Sequence, residues 1–414
     1  MTDPISPEER IQVVDILRGF AIFGILLVNM ELFNSPIYQV MMGLQVWDRV
    51  ADRLADLAIR FLAEGKFYTI FSFLFGFGLA MQMTRAESRG ARFVPLYARR
   101  LSVLLLIGAM HAVLLWIGDI LMTYAVLGFL LILFRHRSRR ALILWATASL
   151  LISILFSAAL AGLGEFAEGS GRGGAGFSVG YHALAEQAAR AYGQGTFAEI
   201  LKQRIKDLKF IYSFEIFFVP HFFAMFLLGL YAGRRGVFQN ISSHLPFIRR
   251  VMAWGLGIGI VGNLVFVIEG EYLGLSESFL GALVSSTAYT VGAPALSAFY
   301  MSAITLLVQK EAWRKRLSPL AAVGRMALSN YLFQSLICTT IFYSYGLGLY
   351  GKVGPAAGAA LTIAIFAVQI PLSVWWLRRF RFGPMEWLWR SLTYRRLQPM
   401  RPAGISMALS PPGR

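Results

Sequence analysis

The 414-residue sequence has one cysteine, Cys338, and few charges: Asp, Glu, Lys and Arg make up 15% of it, with 22 acids against 39 bases. One thiol excludes a disulfide framework and a cysteine-based metal centre. Cys338 lies inside an apolar run, where it reads as packing. With 57% hydrophobic residues and a mean hydropathy of +0.60, the shortage of charge excludes a soluble globular composition. A secretory signal is not expected either. Met1 to Val14 is mostly polar, with Asp3, Glu8 and Glu9, and no small-residue cleavage site follows the first apolar run. The net charge of +17 is not read as a nucleic-acid surface, because the arginines lie between apolar runs of membrane-spanning length.

Those runs are what the sequence has in abundance. Stretches near the length that crosses about 30 Å of hydrocarbon at 1.5 Å per residue lie at 16–33, 67–83, 101–117, 120–134, 141–163, 210–233, 247–268, 279–308, 320–345 and 353–377. The expected fold is an all-α polytopic bundle of about ten transmembrane helices forming a single domain over 1–414. Residues 1–163 hold the first five helices, 164–209 an outer loop or cap, 210–377 the second five, and 378–414 a basic tail. The fourth run is short and the eighth is long with Pro294 in its middle, so a tilted or re-entrant span and a kinked or broken one are expected.

Lys and Arg bias short loops to the cytoplasm, and here they alternate. Arg85, Arg89, Arg92, Arg99 and Arg100 follow the second run, Arg135 to Arg140 the fourth, Arg234 to Arg250 the sixth, and Lys310 to Arg316 the eighth. The intervening short loops are nearly bare, so both termini are expected in the cytoplasm. On the outer side, residues 45–63 carry apolar residues at near-helical spacing among charges, which predicts an amphipathic surface helix. Residues 164–209 combine a glycine-rich stretch with two short helices.

Two GxGxxG strings occur, at Gly257, Gly259, Gly262 and at Gly171, Gly173, Gly176. The first lies inside a span, where small residues let helices approach, and the second has no preceding strand, so neither reads as a nucleotide loop. Ionisable residues at membrane depth carry more weight, since a charge near the bilayer centre costs about 2.5 to 3.5 kcal/mol. DILRG places Asp15 and Arg18 at i, i+3 on one helix face. Asn29 follows Arg18 by eleven residues, and His111 follows Arg100 by eleven. Eleven residues are close to three turns, or roughly 16 Å, so each pair shares a face. Two such helices facing one cavity would give it a basic inner layer and an Asn/His outer layer.

Asp119, eight residues beyond His111, is placed to orient the imidazole of a general base, or to cap the next helix before Ile120. Glu64 and Lys66 introduce the second span. Ser329, Asn330 and Gln334 in the ninth, with Glu215 and His221 in the sixth, are further polar candidates that also suit helix packing. No metal-ligand cluster and no Ser-centred nucleophile motif is legible.

These residues resemble the bacterial domain-of-unknown-function family 418, the YeiB-like membrane proteins, across essentially the whole chain. The resemblance rests on DILRGFAIFGILLVNM, GKFYTIFSFLFGFG, RRLSVLLLIGAMHAVLLWIGDILMTYAVLG with its GxxH element, GRMALSNYLFQS and FGPMEWLWRSLTY. That family is similar to the transmembrane acyltransferase superfamily, whose D-x-x-R-G motif Asp15, Arg18 and Gly19 match, and whose arginines at a cytoplasmic helix end Arg99 and Arg100 resemble. The resemblance implies an acyltransferase of the bacterial cytoplasmic (inner) membrane, moving an acyl group from cytoplasmic acyl-CoA to a sugar or envelope component outside, with no metal. Where sugar O-acyltransferases of the superfamily carry a histidine, this chain has Asn29, which leaves His111 as the expected base. On this reading His111, Asp119 and Asn29 are catalytic, and Asp15, Arg18, Arg99, Arg100, Glu64, Lys66, Asn330 and Gln334 bind acyl-CoA or substrate. A small-molecule transporter or export protein using the same polar cavity is the alternative. The expected partners are the lipid bilayer and a small-molecule substrate, not nucleic acid, with a homodimer left open.

Overall fold

A computed structural model describes residues 10–41, 47–88, 90, 92–169, 175–273 and 278–401. Among the described residues there is no strand. In chain order the helices are α1 (Gln12–Asn34), α2 (Ile37–Met41), α3 (Val50–Leu62), α4 (Lys66–Ser88), α5 (Phe93–Leu114), α6 (Leu121–Leu133), α7 (Arg139–Gly169) and α8 (Ala175–Gln194). They continue with α9 (Phe197–Glu215), α10 (Val219–Arg235), α11 (Ile241–Ile268), α12 (Phe279–Val308), α13 (Glu311–Arg325), α14 (Ala327–Phe342), α15 (Pro355–Arg379) and α16 (Pro384–Tyr394).

Among the described residues seven helices are long and apolar enough to cross a membrane: α1, α4 (in one apolar stretch with α3), α5, α7, α11, α12 and α15. Their outward faces stay apolar and uncovered, as at Leu144, Trp254, Val261 and Leu280, each at least 60% exposed. Such a surface belongs in hydrocarbon. The chain is a multi-pass helical membrane protein.

Two of the expected spans are not single helices. The apolar run 210–233 divides into the end of α9 and α10, which meet at 64°. Pro220, at the start of α10, has no N–H to continue the α9 ladder but suits a first helical turn. The run 320–345 breaks at Met326 between α13 and α14, where the Glu386 carboxylate accepts the Leu328 and Ser329 amides at 2.7 and 3.1 Å and so starts a new helix. Pro294, by contrast, sits within the continuous helix α12. The short fourth run forms α6, of 13 residues.

Close crossings fix the bundle. A Cβ at Gly324 would stand 1.9 Å from the Asp15 carbonyl oxygen, and one at Gly19 2.1 Å from that of Leu320, so α1 and α13 touch backbone to backbone. Gly76 and Gly229 do the same for α4 and α10. Of the first GxGxxG string, Gly259 and Gly262 meet the α12 backbone within 3 Å while Gly257 faces open space, as expected of a packing seam. The second string lies in or beside residues 170–174, outside the described side chains. The predicted surface helix forms as α3 with Val50 and Leu54 exposed; residues 42–46 of that segment are outside the described residues. Asp52 on its buried face accepts the Ala356 amide at 3.0 Å and caps α15. The segment after α7 folds into α8 and α9, the latter begun by a reciprocal Thr196/Glu199 capping box.

Candidate functional site

The starts of α1, α5 and α14, the ends of α4 and α13 and the link after α15 meet at one end of the bundle, around a cavity of about 320 Å³ that α16 closes from below. Arg10 reaches it from just before α1, Asp15 and Arg18 from α1, Gln82 and Arg85 from α4, and Arg100 from α5. Arg325, Arg381, Glu386 and Arg390 complete the mouth. Seven arginines thus face two carboxylates, and both carboxylates are engaged. Asp15 accepts from Arg18 at 3.1 Å, while Glu386 accepts the α14 amides and the Ser329 hydroxyl at 2.5 Å.

The excess charge is felt locally. Burial, then neighbouring Arg100, presses Arg390 down to about 10, and burial followed by Arg325 lowers Arg10. Burial raises the Glu386 carboxyl despite its hydrogen bonds. Arg325 keeps a buried Nε with no hydrogen-bond partner among the described residues. Partly buried guanidinium groups in excess of carboxylates suit a polyanion with planar, bidentate oxygens.

Above the mouth the walls turn apolar and aromatic, through Ile22, Ile25, Leu74, Phe75 and Leu104, and close at Ile120, Leu121, Tyr124 and Tyr331. Arg100 and Leu104 lie on the stripe of α5 that continues through Gly108 to His111, so the helix carries the line of the cavity onward to the imidazole. His111 is buried, its Nδ1 2.8 Å from Asp119 Oδ2 and its Nε2 2.8 Å from Ser335 Oγ. The other Asp119 oxygen accepts the Met122 amide at 2.8 Å. Both expected roles of Asp119 are therefore present, since it orients the imidazole and caps α6. Gly108 makes this possible: a Cβ there would stand 2.7 Å from the Met122 nitrogen and 2.9 Å from Asp119 Oδ1. Tyr331 stands between cavity and imidazole, its ring 5.1 Å from that of His111 and its hydroxyl donating to the Gly118 carbonyl at 2.8 Å.

The other expected residues are placed as follows. Asn29 is half-buried, lies outside the cavity lining, and makes no side-chain hydrogen bond among the described residues. Arg99 turns away from the cavity and donates to the Thr393 carbonyl at 3.1 Å, tying α5 to α16. Arg100 lies 3.7 Å from the Trp389 ring, whose indole N–H donates to the Arg100 carbonyl at 2.8 Å. Lys66 is fully buried and caps the end of α3 through the Arg60 carbonyl at 2.8 Å; Glu64 is beside it, far from the cavity lining. Asn330 binds Val323 and Ser373, and Gln334 binds Gln369, a ladder that joins α14 to its neighbours. Thr123 donates to Glu215, and His221 meets Thr69 at 3.3 Å, in a separate buried cluster.

Ser335 is the residue that sequence reasoning missed. It closes the GRMALSNYLFQS segment, but its partner is 224 residues away, and no local motif announces that pairing. Arg325 and Glu386 were equally hidden, because the break at Met326 and the return of α16 bring them to the mouth.

Fold and site together define a multi-pass helical membrane protein with a Ser–His–Asp constellation buried above an arginine-lined cavity. The family described as "Protein of unknown function (DUF418)" matches residues 232–396, from the end of α10 to just past α16. YxaH of Bacillus subtilis (strain 168) is 42% identical over 416 residues, covering 96% of this chain and 97% of that protein. YeiB of Escherichia coli (strain K12) is 31% identical over 400 residues, covering 94% and 98%. A 39.9 kDa protein in the amylase 3' region of Bacillus acidopullulyticus is 29% identical over 96% and 98%. The chain belongs to the DUF418 family, with YxaH and YeiB among its relatives over nearly their whole length.

Proposed function

We propose that this protein is a membrane acyltransferase, taking an acyl group from acyl-CoA that enters at the arginine-lined mouth and passing it to a hydroxyl or amine acceptor, such as a sugar or envelope component, reached from the opposite side. One observation carries the reading: a single cavity has the arginine cluster at its mouth, and the α5 face that lines it at Arg100 and Leu104 carries His111 about two turns further on, behind Tyr331. The guanidinium groups match the phosphates of the donor, and the apolar shaft suits a pantetheine arm and acyl chain. His111, oriented by Asp119, takes the acceptor proton as general base. Arg18 and Arg100 are assigned to donor binding. Arg99, Glu64, Lys66, Asn330 and Gln334 are assigned to holding helices together.

The topology follows the same reading. Ten crossings result if α6, α10 and α14 each cross beside the seven long helices, with α8 and α9 as an outer cap. The loop arginines then put the basic end and both termini in the cytoplasm, in the bacterial inner membrane.

Purified protein is tested for acyl-CoA binding and for release of free CoA with transfer. Arg18→Ala is expected to weaken binding roughly tenfold or more, the loss of one charge-assisted contact. His111→Ala is expected to keep binding and lose roughly a hundredfold or more of transfer. A well-folded wild type that binds no acyl-CoA overturns the proposal. Proteoliposome uptake that survives His111→Ala but depends on Arg18 assigns export instead.

A further inference from the structure

We infer that Ser335 is the nucleophile of a covalent relay: its hydroxyl accepts the acyl group from the donor as an ester and then surrenders it to the acceptor. This rests on the acyltransferase reading above. The geometry is that of an activated serine: with a proton on Nδ1, His111 donates to Asp119 at 2.8 Å and accepts from the Ser335 hydroxyl at 2.8 Å. A serine or threonine within a helix ordinarily gives its hydroxyl to the carbonyl four residues back. Ser297, Thr305 and Thr340 do so here at 2.7, 2.6 and 2.8 Å. Ser335 makes that bond only at 3.3 Å, to the Tyr331 carbonyl, and its shorter contact, at 2.8 Å, is with the imidazole. His111 has two partners, a carboxylate that fixes its tautomer and a hydroxyl that it can deprotonate, and the three come from α5, the α5–α6 link and α14.

The steps balance without a further reactant. Ser335 Oγ attacks the thioester carbonyl carbon as its proton passes to His111 Nε2; the C–S bond then breaks, and the departing sulfur takes that proton to leave as the thiol. In the second half, the acceptor hydroxyl or amine attacks the ester carbonyl and gives its proton to Nε2. The C–Oγ bond breaks, and Oγ recovers the proton. Tyr331 divides the cavity from the imidazole through a side chain whose hydroxyl donates to the Gly118 carbonyl and also meets the Ile120 backbone. Its displacement opens the path for the acyl carbonyl. The relay also explains how a donor bound at the basic end serves an acceptor at the other: the two never need to share the shaft.

The acylation half needs no acceptor, which makes it directly testable. Wild-type protein is mixed with acetyl-, octanoyl- or palmitoyl-CoA, quenched in acid within seconds, and read by intact mass and peptide mapping. The expected result is an acyl adduct on Ser335, absent in Ser335→Ala and strongly reduced in His111→Gln. Ser335→Cys is expected to trap the group as a thioester, identified by its cleavage in neutral hydroxylamine. An adduct mapped to His111, or CoA release by wild type with no adduct and Ser335→Ala turning over at close to the wild-type rate, overturns the relay while the acyltransferase reading stands. Failure of folded wild type to bind any of the three donors overturns both. The adduct measurement is made on wild type, so a variant that fails to fold does not decide it.

Discussion

A polar side chain buried in a membrane bundle persists only where partners offset its desolvation, and His111 is the residue where that requirement meets chemistry. Asp119→Asn keeps the size of the side chain and the acceptor for the Met122 amide, but removes the charge beside Nδ1. The expected outcome is a thermal midpoint within a few degrees of wild type and a loss of transfer of roughly 10² to 10⁴-fold. Equal turnover by the variant would make the His111–Asp119 pair a packing device. At the mouth, Arg390 is the guanidinium most open to titration, being held down to about 10 by burial and by Arg100. An anionic donor stabilises its protonated form, so affinity is full below that value and falls as pH rises through it. A titration of acyl-CoA binding between neutral pH and pH ~11 checks this. His111 and Asp119 were legible in the sequence because they are eight residues apart on one helix and its exit loop. Asn29 shared their periodicity but not their site, since spacing along a helix fixes its face and not which neighbour that face meets.

Helices place these residues through contacts that tolerate no extra atom. At Gly324 a Cβ would overlap the Asp15 carbonyl, and neither backbone can yield without moving α1 against α13. Gly324→Ala is expected to cost about 1 to 3 kcal/mol or more and to lower the thermal midpoint in detergent accordingly. Gly108→Ala acts locally, pushing the start of α6 away from α5. It is expected to abolish transfer while leaving acyl-CoA affinity near wild type, because Arg100 lies about two turns away along α5. Equal losses of binding and transfer would show that the whole cavity had shifted. Glu386 is the corresponding control at the other end. Glu386→Gln weakens the cap of α14 by about 0.5 to 2 kcal/mol and is expected to lower stability more than chemistry. The two broken spans belong to this scale. Pro220 was a visible sign of the α9–α10 bend, whereas the break at Met326 depends on a carboxylate supplied by α16.

As a whole the molecule is polar along its axis, with arginines gathered at one end and the Ser–His–Asp constellation nearer the other. Cysteines introduced at Ser138 and at Thr196, in a Cys338→Ala background, test the orientation. The Thr196 site is expected to react with a membrane-impermeant maleimide from outside intact cells, and the Ser138 site only after permeabilisation. The reverse pattern would invert the proposed direction of transfer. Because the donor is drawn to the mouth by an excess of arginines, its binding is also expected to weaken as salt shortens the screening length from about 10 Å at 0.1 M to about 3 Å at 1 M.

Length, apolar periodicity and the alternation of arginine-rich and bare loops were enough, without coordinates, to define a multi-pass helical membrane protein and the stripe joining Arg100 to His111. Those properties are local: the cost of leaving a charge or an unpaired backbone group in hydrocarbon acts on each segment separately, so it is written into each segment. The tertiary structure alone decided that α16 returns to close the cavity, that Glu386 starts α14, and that Ser335 lies against an imidazole 224 positions earlier. Such contacts depend on how near two backbones come, and that is set by glycines meeting across helices and not by any pattern within one.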